Sequence, residues 1–279
     1  MNNNNTKKPL ILISNDDGIT AKGLRVLVET MCSLGEVLVV APNTPQSGMG
    51  HAITIHSPLK IHRSSIFNDL GVEAYESSGT PADCIKLAKY YVLKNRVPDL
   101  VASGINHGSN TSISVLYSGT MSAAIEGAIE GMPAIGFSLC DYEKDADFSH
   151  IIPYVSAIAQ QVLKTGLPKG TALNVNFPRR QQEPIKGIKI CRQARARWKE
   201  EFDERTDPYG RKYLWLAGSF ENSDKGEDTD EWAIANNYVS VVPCLFDLTD
   251  HHAIATLNYE WEILRETAPR IIKEHYDNF

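Results

Sequence analysis

Two adjacent carboxylates, Asp16 and Asp17, close the segment PLILISNDDG, directly after the apolar run Leu10 to Ile13. Paired carboxylates at the end of a buried strand are costly unless something positive neutralises them. A divalent metal ion would do so. A solvated turn is the rival reading, because Asn15, Asp16, Asp17 and Gly18 are also ordinary turn residues. Two further polar loops bear on the choice: Ser47-Gly48-Met49-Gly50-His51 and Ser103-Gly104-Ile105-Asn106. With the first loop they offer carboxylates, hydroxyls and an amide oxygen. An all-oxygen set suits a hard cation such as Mg²⁺ or Mn²⁺ better than zinc. Glycines such as Gly48 and Gly104 would let the backbone approach a ligand closely. Tyr117-Ser118-Gly119-Thr120 opens a small-residue segment, and backbone N–H groups at a helix start attract anions.

These loops need a scaffold, and the flanking patterns predict one. Leu10 to Ile13 reads as a strand buried on both faces. Leu24, Leu27, Val28, Met31 and Leu34 recur at helical spacing up to Gly35, and EVLVVA at 36–41 is a second buried strand. ITIHSPLKI at 53–61 alternates like an edge strand. Thr80, Pro81 and Asp83 form a capping box before a helix. LVAS, ending at Ser103, is the next strand, followed by a helix from about Thr120 to Glu130 and the strand PAIGFSL. A helix with Pro153 early in it precedes the strand TALNVNFP, which ends at Pro178. The result is an α/β fold, a mostly parallel sheet with helices on both faces. In such sheets ligands bind at the carboxyl ends of the strands, where all three loops fall.

Past Pro178 the character changes. Residues 179–250 carry more charge and alternate like hairpin strands, with DPYG as a turn and 221–231 as an acidic loop. A pair of long hairpins is marginal alone, so this β-rich extension is expected to pack on the main domain or a second subunit. Leu257 to His275 reads as a closing helix within a last segment, 251–279. Residues 1–8 read as a frayed polar tail ahead of a domain at 9–178.

The chain of 279 residues has a net charge of −6, which argues against a nucleic-acid duplex or an anionic membrane as partner. No apolar run is long enough to span a bilayer, and MNNNNTKK lacks the apolar core of a secretory signal. The five cysteines have no metal-ligand spacing and fit free thiols in a reducing cytoplasm.

Several blocks in this order carry a resemblance: SNDDGI at 14–19, VVAPNTPQSGMGHAIT at 39–54, SGTPADC at 78–84, PDLVASGINHGSN at 98–110, YSGTMSAAIEG at 117–127 and LNVNFP at 173–178. RQARARW at 192–198 and DPYGRKYLWLAG at 207–218 match more loosely. The chain strongly resembles the SurE family of metal-dependent acid phosphatases, the stationary-phase survival proteins or 5′/3′-nucleotidases. The resemblance implies a Rossmann-like catalytic domain and a smaller β-rich portion exchanged between subunits of a homodimer or tetramer. It places Asp16, Asp17, Ser47 and Asn106 at the positions that bind one divalent ion per subunit. It implies hydrolysis of nucleoside 5′- or 3′-monophosphates. Two positions depart from the family pattern: Thr44-Pro45 stands where a basic residue is common, and Ala194 replaces a glycine.

A phosphomonoester needs its oxygens neutralised and a nucleophile placed in line. An ion at Asp16 and Asp17 would supply both the charge and an activated water, with the two aspartates as the catalytic residues. Asn15, Gly48, Ser103, Gly104, Ser118, Gly119 and Thr120 are read as lining the substrate, the last three cradling its phosphate. Thr120 has capping of its helix as the alternative. His51 and His107 are read as loop hydrogen-bonding residues rather than general acids, and Glu126 and Glu130 as helix-surface or cap residues. A polyphosphatase, or a non-catalytic nucleotide-binding module on the same fold, are the competing functions.

Overall fold

In the first strand, β1 (Leu10–Ser14), every residue is buried, because each face of it meets a different helical layer. Ile11 and Ile13 point to one side and Leu10 and Leu12 to the other, and each set joins a separate apolar cluster. The structure, a computed structural model, describes residues 8–143 and 145–261. The tail expected at 1–8 lies outside them apart from Lys8. Helix α1 (Lys22–Cys32) and strand β2 (Glu36–Pro42) complete the opening βαβ unit. Then come β3 (Ile61–Ser64), β4 (Glu73–Ser77), α2 (Pro81–Leu87), β5 (Leu100–His107), α3 (Gly119–Ile129), β6 (Ala134–Cys140), α4 (Ile152–Thr165) and β7 (Thr171–Pro178). Leu24, Leu27, Val155 and Ile158 from α1 and α4 fill one face of the sheet. Ile85, Ala123 and Ala124 from α2 and α3 fill the other.

The sheet has nine strands in the order β3-β4-β2-β1-β5-β6-β7-β11-β8. From β1 the chain builds outward through β2 and β4, then returns to lay β5, β6 and β7 on the opposite side. All of these neighbours pair in parallel. β1 and β5 therefore flank the point where the strand order reverses, and the crevice beyond their carboxyl ends is where such sheets hold ligands.

Several boundaries differ from expectation. Residues 53–60 are not a strand, and only β3 pairs, antiparallel, with β4. The backbone and hydroxyl of Thr54 donate instead to Asp83, at 3.1 and 2.6 Å, the same carboxylate that serves the Thr80 capping box. β5 does not stop at Ser103. It continues to His107 through an irregularity between Ser103 and Asn106, made possible by Gly104. At φ +120° and with a Cβ that would lie 2.3 Å from the Phe137 carbonyl oxygen, that position admits only glycine. The extension is not one separate β-rich region, since β8 (Ile188–Ile190) and β11 (Val239–Leu245) join the main sheet. Only β9 (Ala196–Thr206) and β10 (Lys212–Asn222) stand apart, as a two-stranded hairpin.

The end of the acidic segment forms a short helix, α5 (Asp230–Ala235), capped by Thr229. Asp230 accepts from the backbone N–H groups of Ser112, Ala194 and Glu231 at 2.8–2.9 Å, so a sequence that looks like solvated loop is pinned into the interior. The last described helix, α6 (His251–Glu260), starts earlier than the expected Leu257 because Asp250 caps it. The remainder of the expected closing helix lies outside the described residues. Of the described residues, those up to Phe246 form one compact unit and those from Asp247 a second. Among the described residues no helix is long and apolar enough to cross a membrane.

Candidate metal centre

Ser14, the last residue of β1, is the register partner of Ser103 in β5, so the turn after β1 lies beside the last residues of β5. Asn15 begins the turn after β1 and donates through Nδ2 to the Gly18 carbonyl at 3.0 Å. Asp16 is 4% exposed. Its Oδ1 accepts from the Thr120 hydroxyl at 2.5 Å, and its backbone carbonyl accepts from Gln46 N–H at 2.7 Å. Asp17 is half-buried and faces the far end of β5. Its Oδ2 lies 3.4 Å from His107 N and 3.6 Å from His107 Nδ1. Asn106 gives its amide nitrogen to the Gly108 carbonyl at 2.9 Å, so its amide oxygen is what it has left to offer a ligand.

The loop that carries Ser47 is anchored at three points. Gln46 N–H reaches Asp16, Gly50 N–H donates to the Tyr117 carbonyl at 3.2 Å, and His51 Nε2 lies 2.8 Å from Glu126 Oε2. Between the anchors Ser47 and Gly48 are exposed. Glu126 is not a surface residue, as its place on a helix suggests. It is 2% exposed and also binds Lys86 Nζ of α2 at 2.5 Å. Burial opposes its ionisation, yet His51 and Lys86 outweigh that and hold the carboxyl below the usual range. A sequence signal for this existed: Lys86 and Lys89 match Glu126 and Glu130 on the next helix, and Lys89 binds Glu130 at 2.5 Å.

The first turn of α3 sits on Asp16. A Cβ on Gly119 would lie 2.5 Å from the Asp16 Cβ, so glycine is required for the close approach. Ser118 is the N-cap and accepts from Met121 N–H at 3.0 Å. Thr120 is fully buried and its hydroxyl is spent on Asp16, neither capping the helix nor free for a phosphate. The anion that the helix start attracts is in the first place the Asp16 carboxylate.

Burial pushes the Asp16 carboxyl from 3.8 up to about 6; the Thr120 hydroxyl pulls it down and the neighbouring Asp17 pushes it up again. Two polar atoms at the same edge, Asn15 Oδ1 and Ser103 Oγ, are buried with no hydrogen-bond partner. A buried carboxylate beside a second one, with unpaired oxygens around it, suits a small hard cation. Among the described residues no three His, Cys, Asp or Glu side chains group around a metal position. A cation here would thus rely on the two aspartates and neutral oxygens.

The family model "Survival protein SurE" matches residues 11–200. The chain is 66% identical to the 5′-nucleotidase SurE of Cytophaga hutchinsonii, over 93% of this chain and 99% of that protein. It is 59% identical to the protein of the same name from Flavobacterium psychrophilum, over 92% and 98%. The crystal structure of the SurE protein from Aquifex aeolicus superimposes with a TM-score of 0.77 at 41% identity, covering 90% of this chain and 99% of that one.

The Asp16 environment makes a prediction for metal-free protein. Its folded carboxyl keeps a proton up to about pH 6, against 3.8 when exposed, so its contribution to stability is full below about pH 4 and is lost as pH rises through 6. The loss should be on the order of 3 kcal/mol. Melting temperature in chelator should fall across that window in the wild type, and Asp16→Asn should flatten the fall. Parallel curves for the two proteins would contradict the assignment.

Proposed function

The chain belongs to the SurE family, and from that premise we propose that it is a 5′-nucleotidase, a phosphomonoesterase that releases phosphate from nucleoside monophosphates. The carboxylate pair at the strand-order reversal, Asp16 buried and Asp17 half-buried, is the single observation that carries this reading, because a site for neutral ligands would not bear its electrostatic cost. Asp16, Asp17, Ser47 and Asn106 would hold one divalent ion, Mg²⁺ or Mn²⁺, as ligands. When bound, such an ion neutralises phosphoryl charge and lowers the pKa of a water. Asp16 and Asp17 supply the negative charge and stand as acceptors for the proton of an attacking water. Asn15, Gly48, Ser103 and Gly104, with Ser118 and Gly119 at the start of α3, would line the substrate. Thr120 is a positioning residue for Asp16. The five unpaired thiols support a reducing, cytoplasmic location.

The hairpin supports a homo-oligomer. β9 and β10 pair over eleven residues each, and Phe202, Leu214, Trp215 and Leu216 on them are exposed. A lone two-stranded ribbon with apolar side chains in water is marginal, so a second copy of the chain is the covering surface we infer.

Three measurements test these readings. Phosphate release from a panel of nucleoside 5′- and 3′-monophosphates and tripolyphosphate should require Mg²⁺ or Mn²⁺ and favour the monophosphates. Asp16→Asn or Asp17→Asn should lower turnover on the order of a hundredfold or more, as removing a principal electrostatic stabiliser does. Full activity in chelator, or unchanged turnover in both variants, would overturn the reading. Thr120→Val should raise the metal concentration for half-activation roughly tenfold, the worth of one hydrogen bond to a charged group, and Thr120→Ser should restore it. An unchanged activation curve would show that Thr120 does not position Asp16. Leu214→Ser with Leu216→Ser should shift the light-scattering mass towards the monomer; an oligomer of unchanged mass would remove the hairpin from the interface.

A further inference from the structure

Resting on the nucleotidase reading, we propose that a cavity beyond the ends of β5 and β6 receives the nucleobase and prefers guanine. The cavity measures about 190 Å³ and is walled by Tyr142, Trp198 and Phe220, with Ser109, Thr111, Ser114 and Glu231 among its polar members. Ligand pockets usually run to roughly 300–1,000 Å³, so this one suits a single planar group rather than a whole nucleotide. Aromatic walls take any base by its π-face.

The walls are held in place. Trp198 and Phe220 are cross-strand partners at the root of the β9–β10 hairpin, with ring centroids 5.4 Å apart. Trp198 Nε1 donates to Ser114 Oγ at 3.4 Å. The Tyr142 ring covers Gly108, where a Cβ would come within 2.5 Å of it, and its hydroxyl accepts from Ser109 N–H at 3.3 Å. That wall leads straight to the metal centre, since the Gly108 carbonyl is the partner of the Asn106 amide. The span is short. Ser109 is three residues beyond Asn106, at most about 11 Å along the chain. Asn106 pairs with Ser138 of β6, two residues before the cavity-lining Cys140. A nucleotide with its phosphate at Asp16 and Asp17 would place its base here.

Glu231 sets the preference. The Thr111 hydroxyl donates to its Oε1, and no other side chain among the described residues donates to this carboxylate. Burial makes its ionisation unfavourable, so paired N–H donors from a ligand would offset that cost. A carboxylate only accepts. Guanine presents adjacent N1–H and N2–H donors on its pairing edge, whereas adenine presents a lone pair at N1.

The test compares kcat/KM of the full-length, metal-loaded protein on GMP, AMP and ribose 5-phosphate. The wild type should prefer GMP to AMP. Glu231→Gln should cut the GMP-to-AMP ratio about tenfold. Trp198→Ala should cut the ratio of either nucleotide to ribose 5-phosphate about tenfold, through KM, by the loss of one stacking partner, and Trp198→Phe should restore most of it. Free guanosine should inhibit the wild type competitively and more tightly than adenosine, a readout independent of whether the variants fold. Ratios within twofold of the wild type in both variants, or no inhibition by guanosine, would overturn this assignment while leaving phosphate release intact. Absence of hydrolysis of all three substrates by the wild type would defeat the nucleotidase reading itself, and this assignment with it.

Discussion

The hydrogen bond from Thr120 to Asp16 joins the two halves of the molecule's chemistry. It ties the first turn of α3 to the carboxylate at the end of the central strand, at 2.5 Å and out of water. Much else follows from keeping that contact. Gly119 must lack a side chain so that α3 can approach Asp16. Ser118, at the position before α3, caps the helix, so Thr120 inside its first turn is left for Asp16. The contact also lowers the cost of ionising a carboxyl that burial pushes up, without cancelling it. The remainder of that cost is what a bound cation would offset.

Around this pair, charge is organised in layers. His51, Glu126, Lys86, Lys89 and Glu130 link the Ser47 loop to α3 and α2 through ion pairs that are mostly shielded from water. His51 holds the loop after Ser47 and the Gln46 N–H to Asp16 bond holds it before, while the serine itself stays exposed. On the other flank Asp230 fastens the loop after Asn106 to the extension through three backbone N–H groups. A rigid frame with an exposed middle is what a site needs when a ligand must enter and leave.

The scaffold was legible in the sequence wherever a local rule governs. The unbroken apolar run of β1 announces a strand buried on both faces, and Thr80-Pro81-Asp83 announces the start of α2. The three polar loops share a sheet edge because parallel topology puts them there. What escaped depends on contacts between distant residues. Thr120 looks like a cap or phosphate ligand because its partner is 104 positions away. Glu126 looks like a surface residue because helical position alone does not show that α2 lies over it. The acidic segment looks like solvated loop because two of Asp230's donors, Ser112 and Ala194, lie far from it in the chain. Residues 53–60 alternate like a strand, but Asp83 claims the Thr54 backbone that a ladder would have used.

The central claim is that the Asp16–Asp17 edge binds one divalent ion per subunit. Titrating Mn²⁺ calorimetrically into chelator-stripped protein tests it without any assay of turnover. The account predicts a single site in the wild type that is lost when Asp16→Asn and Asp17→Asn are combined, with the fold retained by circular dichroism. Binding of unchanged stoichiometry and affinity in the folded double variant would contradict it.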